Sequence, residues 1–208
     1  MAGKGHGRRA AGSSGPPVVN VANALTLARL ALVPAVAACL AYQGGTDRTA
    51  RIVAAALFAL AALTDHWDGH LARTRGLVTD FGKIADPIAD KTLILVALAV
   101  LSGLGQLSWW VTGIVAFREI GVTLLRFAVI KHAVIPASLG GKIKTVAQIA
   151  AIGLYILPVT AIWLVFVAQT LMIVAVAMTI ATGVENAFQV ATILAAARAT
   201  RMSALKGA

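Results

Sequence analysis

Six apolar runs dominate the sequence, at about residues 22–43, 49–73, 82–104, 108–131, 141–162 and 166–196. Each is long enough for the ~20-residue helix that crosses the hydrocarbon core of a bilayer. The gaps between them are short and hold turn-forming residues: Gly44-Gly45, Thr74 to Asp80, Gly103 to Gln106, Ile135 to Gly140, and Pro158 near the fifth break. Lipid cannot satisfy backbone polar groups, so a spanning chain is restricted to helices or a closed barrel. Ala- and Leu-rich runs of this length are not barrel strands. The expected fold is therefore all-α, a polytopic membrane protein with six transmembrane helices. Composition agrees: 59% of residues are hydrophobic and 12% charged, against ~25% charged in a soluble domain. The last run is long for one span and is expected to continue past the bilayer.

The formal charge of +10 raises the question of nucleic acid. However, Lys and Arg collect in the short segments between apolar runs, the pattern that orients a membrane protein. No nucleic-acid partner is expected. One set of segment ends carries Lys4, Arg8 and Arg9, then Arg73, Arg75 and Lys83, then Lys131, Lys142 and Lys144, then Arg198, Arg201 and Lys206. The opposite set has only Arg48 and Arg51, accompanied by Asp47. This asymmetry places both termini and the 74–81 and 132–141 loops in the cytosol, with Trp109 and Trp110 as an outer interfacial anchor. Residues 1–19 read as a disordered basic cytosolic tail without the apolar stretch of a signal peptide. Residues 20–200 form the expected six-helix domain, and residues 201–208 a second basic cytosolic tail. Cys39 lies alone in the first run and reads as a small core residue. No internal repeat is evident, which weighs against a transporter built from duplicated halves.

The stretch from Asp65 to Asp90 holds five of the eight acidic residues. Asp65, Asp68, Asp86 and Asp90 occupy positions where a membrane helix carries Leu or Val, and each such charge costs on the order of 2.5–3.5 kcal/mol. At 100° per residue, Asp65, Asp68 and Ala72 share one stripe, while Gly82, Asp86 and Asp90 form another on the next helix. At about 1.5 Å per residue, Asp65 and Asp90 lie ~12 Å inside the cytosolic ends of their helices, Asp68 ~7.5 Å and Asp86 ~6 Å. Carboxylates this close raise each other's pKa unless cations intervene. Hard divalent ions with oxygen ligands suit them, Mg²⁺ above all, and two such ions balance four charges. Pairing with Arg29, Arg73 or Lys91 is the alternative that needs no metal. His66 and His70 stand four apart, but no Cys or third His completes a zinc set. Gly69, Ala72 and Gly82 either pack helices closely or leave room for a nucleotide beside the backbone.

The pattern Asp65-x2-Asp68-Gly69-x2-Ala72-Arg73-x8-Gly82-x3-Asp86-x3-Asp90 resembles the signature of the CDP-alcohol phosphotransferase family, with all eight fixed positions present. The resemblance implies a membrane enzyme, usually a homodimer, that uses Mg²⁺ or Mn²⁺. Such an enzyme displaces CMP from a CDP-linked lipid with an acceptor hydroxyl. It further implies that Asp65, Asp68 and Asp86 hold the metals and that Asp90 contacts the metal site and acts as general base. Asp68, Gly69, Ala72, Arg73 and Gly82, with Thr26 from the first helix, would bound the CDP site. No Ser-His or Cys-His arrangement points to a covalent route, so a single in-line displacement is expected.

Further polar residues bear on the acceptor. Glu119 and Arg126 lie seven apart on one face of the fourth segment, where they are expected either to pair or to serve the site. Arg118 projects about 100° away from Glu119 and calls for another partner, Glu185 or a bound phosphate. Arg118-Glu119-Ile-x4-Leu125-Arg126 and Ala137-Ser138-x2-Gly141-Lys142-Ile143-Lys144-Thr145-x2-Gln148 resemble the second half of bacterial phosphatidylglycerophosphate synthases. Asn23-Ala-Leu-Thr26-x2-Arg29 is similar to both these and cardiolipin synthases. The resemblance implies CDP-diacylglycerol and sn-glycerol 3-phosphate as substrates, in the inner membrane of a bacterial cell. The acceptor phosphate would be held by Arg118, Arg126, Lys142 and Lys144. Inositol phosphate or phosphatidylglycerol as acceptor is the alternative within the same chemistry. A divalent-cation transporter is the alternative of another class, and a non-catalytic scaffold leaves the four carboxylates unexplained.

Overall fold

The computed structural model describes the backbone of residues 21–75, 80–129 and 139–206, and the side chains of residues 24–64, 88–89, 91–125, 140–141 and 143–195. Among the described residues the protein is all-helical: α1 (Val21–Ala41), α2 (Arg48–Arg75), α3 (Asp80–Gly103), α4 (Trp109–Val129), α5 (Leu139–Ile156) and α6 (Ile162–Lys206), with a 3₁₀ turn at Tyr42–Gly45. Every apolar run is thus a helix, and the breaks fall at the turn residues. The 76–79 and 130–138 connections lie outside the described residues.

One boundary differs from expectation. The fifth run was expected to reach residue 162, but α5 ends at Ile156. Pro158 supplies no amide hydrogen and disfavours helical geometry in the residue before it, so the chain breaks early. Consequently α6 starts at Ile162 rather than near 166, and its helical backbone continues for 45 residues to Lys206. At about 1.5 Å per residue this helix is ~68 Å long, more than twice the ~30 Å core of a bilayer.

Helix α1 packs against both α2 and α3, α4 packs against α3 and α6, and α5 lies chiefly against α6. Helices α2 and α3 touch directly, but each makes its broader contact with α1. The core joins all six helices: Val36 and Leu40 of α1, Phe58 of α2, Leu98 and Leu101 of α3, Val115 of α4, Ile152 and Ile156 of α5 and Met172 of α6 are buried together. The outside is also apolar, with Phe117 82%, Phe188 71% and Ile162 70% exposed. Meanwhile Thr26, Arg29, Glu119, Lys144, Gln148 and Asn186 are buried. An apolar exterior around an apolar core that encloses a few polar groups suits a lipid environment, where contiguous exposed hydrocarbon carries no penalty. Two stretches, Ala24–Gly45 and Ile162–Ala195, are long and apolar enough to cross a membrane, and Lys91–Gly103 and Ile143–Ile156 are shorter apolar helices.

At one end of the bundle the chain turns sharply between α1 and α2. Gln43, Gly44 and Gly45 all have positive φ, at 46°, 66° and 76°. A Cβ on Gly45 would lie 2.6 Å from Leu104 Cδ1, so glycine permits both the turn and the contact with the end of α3. Asp47 then caps α2, its Oδ1 accepting from the Ala50 amide at 2.6 Å. Arg51 donates through Nε to the Ile156 carbonyl at 2.9 Å, through Nη1 to the Gly45 carbonyl at 3.1 Å, and through Nη2 to the Tyr155 carbonyl. Two of these acceptors are last-turn carbonyls of α5, which a helix end leaves without partners. Trp109 and Trp110 sit at the start of α4 on this same end and are 61% and 82% exposed.

Candidate active site

The opposite end of the bundle gathers the residues singled out for chemistry. Asp65, Asp68, Gly69, Ala72 and Arg73 lie in the last three turns of α2, and Gly82, Asp86 and Asp90 in the first three of α3. The helical backbone keeps the 3- and 4-residue spacings that make each set one stripe. Their side chains lie outside the described residues, as do those of His66, His70, Arg126 and Lys142. Thr26 and Arg29 lie on α1, three residues apart and 2% and 1% exposed. Since α1 packs against both α2 and α3, the first helix contributes buried polar groups to the region between them.

Around Glu119 the side-chain geometry is visible. Lys91 Nζ of α3 donates to Glu119 Oε2 at 2.9 Å. Arg118 Nη1 donates to Oε1 at 3.1 Å, and Lys144 Nζ of α5 also donates to Oε1. Arg118 Nη2 donates to Thr182 Oγ1 of α6 at 2.9 Å. Three helices therefore meet at one carboxylate, and α6 joins them through Arg118. Glu119 and Lys144 are nearly sealed, with side chains 7% and 4% exposed, while Lys91 is the most open at 23%. Sequence alone explains why these residues seek distant partners: Lys91, Glu119 and Lys144 have no opposite charge three or four residues away on their own helices, where local pairs would form.

Arg118 departs from expectation. Its 100° offset predicts separation from Glu119, yet the guanidinium turns back to that carboxylate and reaches Thr182 rather than Glu185. A long side chain at a helix interface spans more arc than its Cβ direction suggests, and Gly183 makes the space for it: a Cβ there would lie 3.1 Å from Arg118 Cγ. Glu185, exposed, instead accepts from Gln189 Nε2 at 3.2 Å. The expected Glu119–Arg126 pair involves a side chain outside the described residues; the partners seen are Lys91, Arg118 and Lys144. Sequence reasoning missed Lys91 and Thr182 as members of this cluster. For Lys91 the signal was its place inside an apolar run directly after Asp90.

A family model described as CDP-alcohol phosphatidyltransferase matches residues 19–181. The chain belongs to this family. The match takes in the whole Asp65–Asp90 stretch and the Lys91, Arg118, Glu119 and Lys144 cluster, stopping just short of Thr182. A protein of Mycobacterium tuberculosis (strain ATCC 25618 / H37Rv) named "Probable phosphatidylglycerophosphate synthase" is 52% identical over 168 residues, covering 81% of this chain and 80% of that relative. The "CDP-diacylglycerol--glycerol-3-phosphate 3-phosphatidyltransferase" of Bacillus subtilis (strain 168) is 37% identical over 148 residues, covering 66% of this chain and 77% of the relative. A Rickettsia bellii protein of the same name is 34% identical over 168 residues, covering 79% and 91%. Membership agrees with the expectation drawn from the eight-position signature.

Proposed function

We propose that this protein transfers the phosphatidyl group of CDP-diacylglycerol to sn-glycerol 3-phosphate, giving phosphatidylglycerophosphate and CMP in phospholipid biosynthesis. The observation that carries this reading is the 52% identity over 168 residues to a mycobacterial protein named for that synthase. The described cluster supports it independently: three cations from α3, α4 and α5 converge where an acceptor bearing a phosphate would need them.

In the proposed reaction the 1-hydroxyl oxygen of glycerol 3-phosphate attacks the phosphorus that bears the diacylglycerol. A new P–O bond forms there, the bond to the bridging oxygen breaks, and CMP departs with that oxygen. The hydroxyl proton passes to Asp90, placed as general base, since attack requires a positioned group with basic capacity. Asp65, Asp68, Asp86 and Asp90 form an all-oxygen donor set, which suits Mg²⁺ or Mn²⁺ rather than a softer ion. When bound, two such ions supply the positive charge that a pyrophosphate needs as its bridging bond breaks. Asp68, Gly69, Ala72, Arg73, Gly82 and Thr26 bound the CDP moiety. Arg118 and Lys144, joined by Lys142 and Arg126, hold the acceptor phosphate, using the charge-assisted bonds that favour phosphate oxygens.

The six helices are read as six spans, with both termini and the active site on the cytosolic side of a bacterial inner membrane and the protein a homodimer. The carboxylates then lie ~6–12 Å below the cytosolic ends of their helices. A lipid nucleotide can place its pyrophosphate there while its acyl chains stay among the tails. The deciding experiment measures CMP release from CDP-diacylglycerol by purified protein with and without glycerol 3-phosphate. Release that depends on this acceptor supports the reading. Release that ignores it, or that follows inositol phosphate or phosphatidylglycerol instead, overturns it.

A further inference from the structure

Glu119 is the one buried carboxylate among the described side chains, 5% exposed, and the reaction proposed above gives it no chemical step. Among the described side chains its surroundings are unbalanced: Lys91, Arg118 and Lys144 bring three positive charges to its single negative one, a formal +2 for these four groups. Simple neutralisation of a buried charge needs one partner, and surplus charge inside an apolar bundle is costly. A phosphate monoester carries about −1.5 to −2 at pH 7, which complements this surplus.

Geometry adds to the charge argument. The two Glu119 oxygens divide the cations, Oε2 facing Lys91 and Oε1 facing Arg118 and Lys144. Without that carboxylate the three like charges would repel one another. Arg118 is steadied on its other side by Thr182, while its buried Nε has no hydrogen-bond acceptor among the described residues. Lys91 directly follows Asp90 in the chain, so its bond to Glu119 also sets α3 against α4 at the register of the proposed base.

We infer that Glu119 is a positioning residue that gathers Lys91, Arg118 and Lys144 into one preorganised cluster for the phosphate of the acceptor. It touches neither the reacting atoms nor the lipid nucleotide. This inference rests on the glycerol-phosphate transferase reading and deepens it at the acceptor-phosphate end of the site. Lys91 thereby joins the acceptor site.

Steady-state kinetics of CMP release, with each substrate varied in turn, tests it on the unmodified protein, E119Q and E119D. E119Q is expected to raise the KM for glycerol 3-phosphate about tenfold or more, the scale of one lost charge-assisted hydrogen bond. The KM for CDP-diacylglycerol should stay within about twofold. E119D, which keeps the charge one methylene back, should raise the acceptor KM less. If Glu119 only offset positive charge, E119Q would expose a +3 cluster and lower the acceptor KM; that outcome, an unchanged acceptor KM, or a parallel rise in both KM values overturns the inference. Should E119Q fail to fold, E119D decides alone, a raised acceptor KM supporting the inference and an unchanged one refuting it. Acceptor-independent release by the unmodified protein would instead overturn the transferase reading, and with it this inference.

Discussion

At the scale of single residues, polar side chains inside this bundle are arranged for more than burial. Lys144 has a side chain only 4% exposed and is bonded to Glu119, so its loss changes both the charge and the geometry of the cluster. Lys144→Ala should raise the KM for glycerol 3-phosphate about tenfold, as removal of one charge-assisted phosphate contact does. An unchanged acceptor KM would remove Lys144 from the acceptor site. Asp90→Asn keeps the shape and removes the proton acceptor. It should lower kcat about 10²-fold or more, the scale of general-base catalysis, and a variant retaining half the wild-type kcat would exclude Asp90 as base. Gly183→Ala offers a subtler probe. The added Cβ meets Arg118 Cγ at 3.1 Å, and that flexible side chain can shift by a few tenths of an ångström. The expected result is a rise of roughly twofold to fivefold in acceptor KM, less than a charge-assisted bond is worth, at nearly unchanged thermal stability.

At the scale of elements, the two ends of the bundle are built differently. The end bearing Trp109 and Trp110 is closed by backbone devices: a tight turn at Gln43–Gly45, the Asp47 cap, and the Arg51 fork on carbonyls of α5 and the turn. Arg51 lets α5 stop at Ile156 without stranding its final carbonyls, a need created by Pro158 two residues on. Arg51→Ala should therefore destabilise the protein by about 2–3 kcal/mol, the upper range for a hydrogen-bonded charged group, read as a lowered unfolding temperature in detergent. Arg51→Lys should recover only part of this, because an ammonium cannot reproduce the rigid guanidinium fork. Catalysis at the far end should keep its KM values in both variants.

At the scale of the whole molecule, the bundle is apolar outside as well as in its core. Large apolar side chains such as Phe117 and Phe188 face outward, while charged and amide groups are enclosed. Helix α1 makes the broad contacts with α2 and α3, and α4 through α6 complete the cation cluster. A site assembled from separate helices in this way depends on the whole fold. Removal of divalent cations with EDTA should abolish CMP release, and Mg²⁺ or Mn²⁺ should restore it, because the proposed four-carboxylate set offers only hard oxygen ligands. Activity that survives chelation would refute the metal-dependent reading.

Sequence by itself determined which stretches are helices, where they break, and which pattern of carboxylates and small residues marks the family. Those properties are local: hydrophobic length, turn chemistry, and spacing along one helix. Even the early end of α5 was written locally, in Pro158, though a reading by hydropathy alone ran past it. Tertiary structure decided that α1 packs broadly against both carboxylate-bearing helices, that Arg118 turns back to Glu119, and that Lys91, Lys144 and Thr182 join them from three other helices. None of these cluster partners stands three or four residues from another on its own helix, where sequence could have paired them. Their meeting depends on how the helices rotate and dock, a property of the packed bundle as a whole.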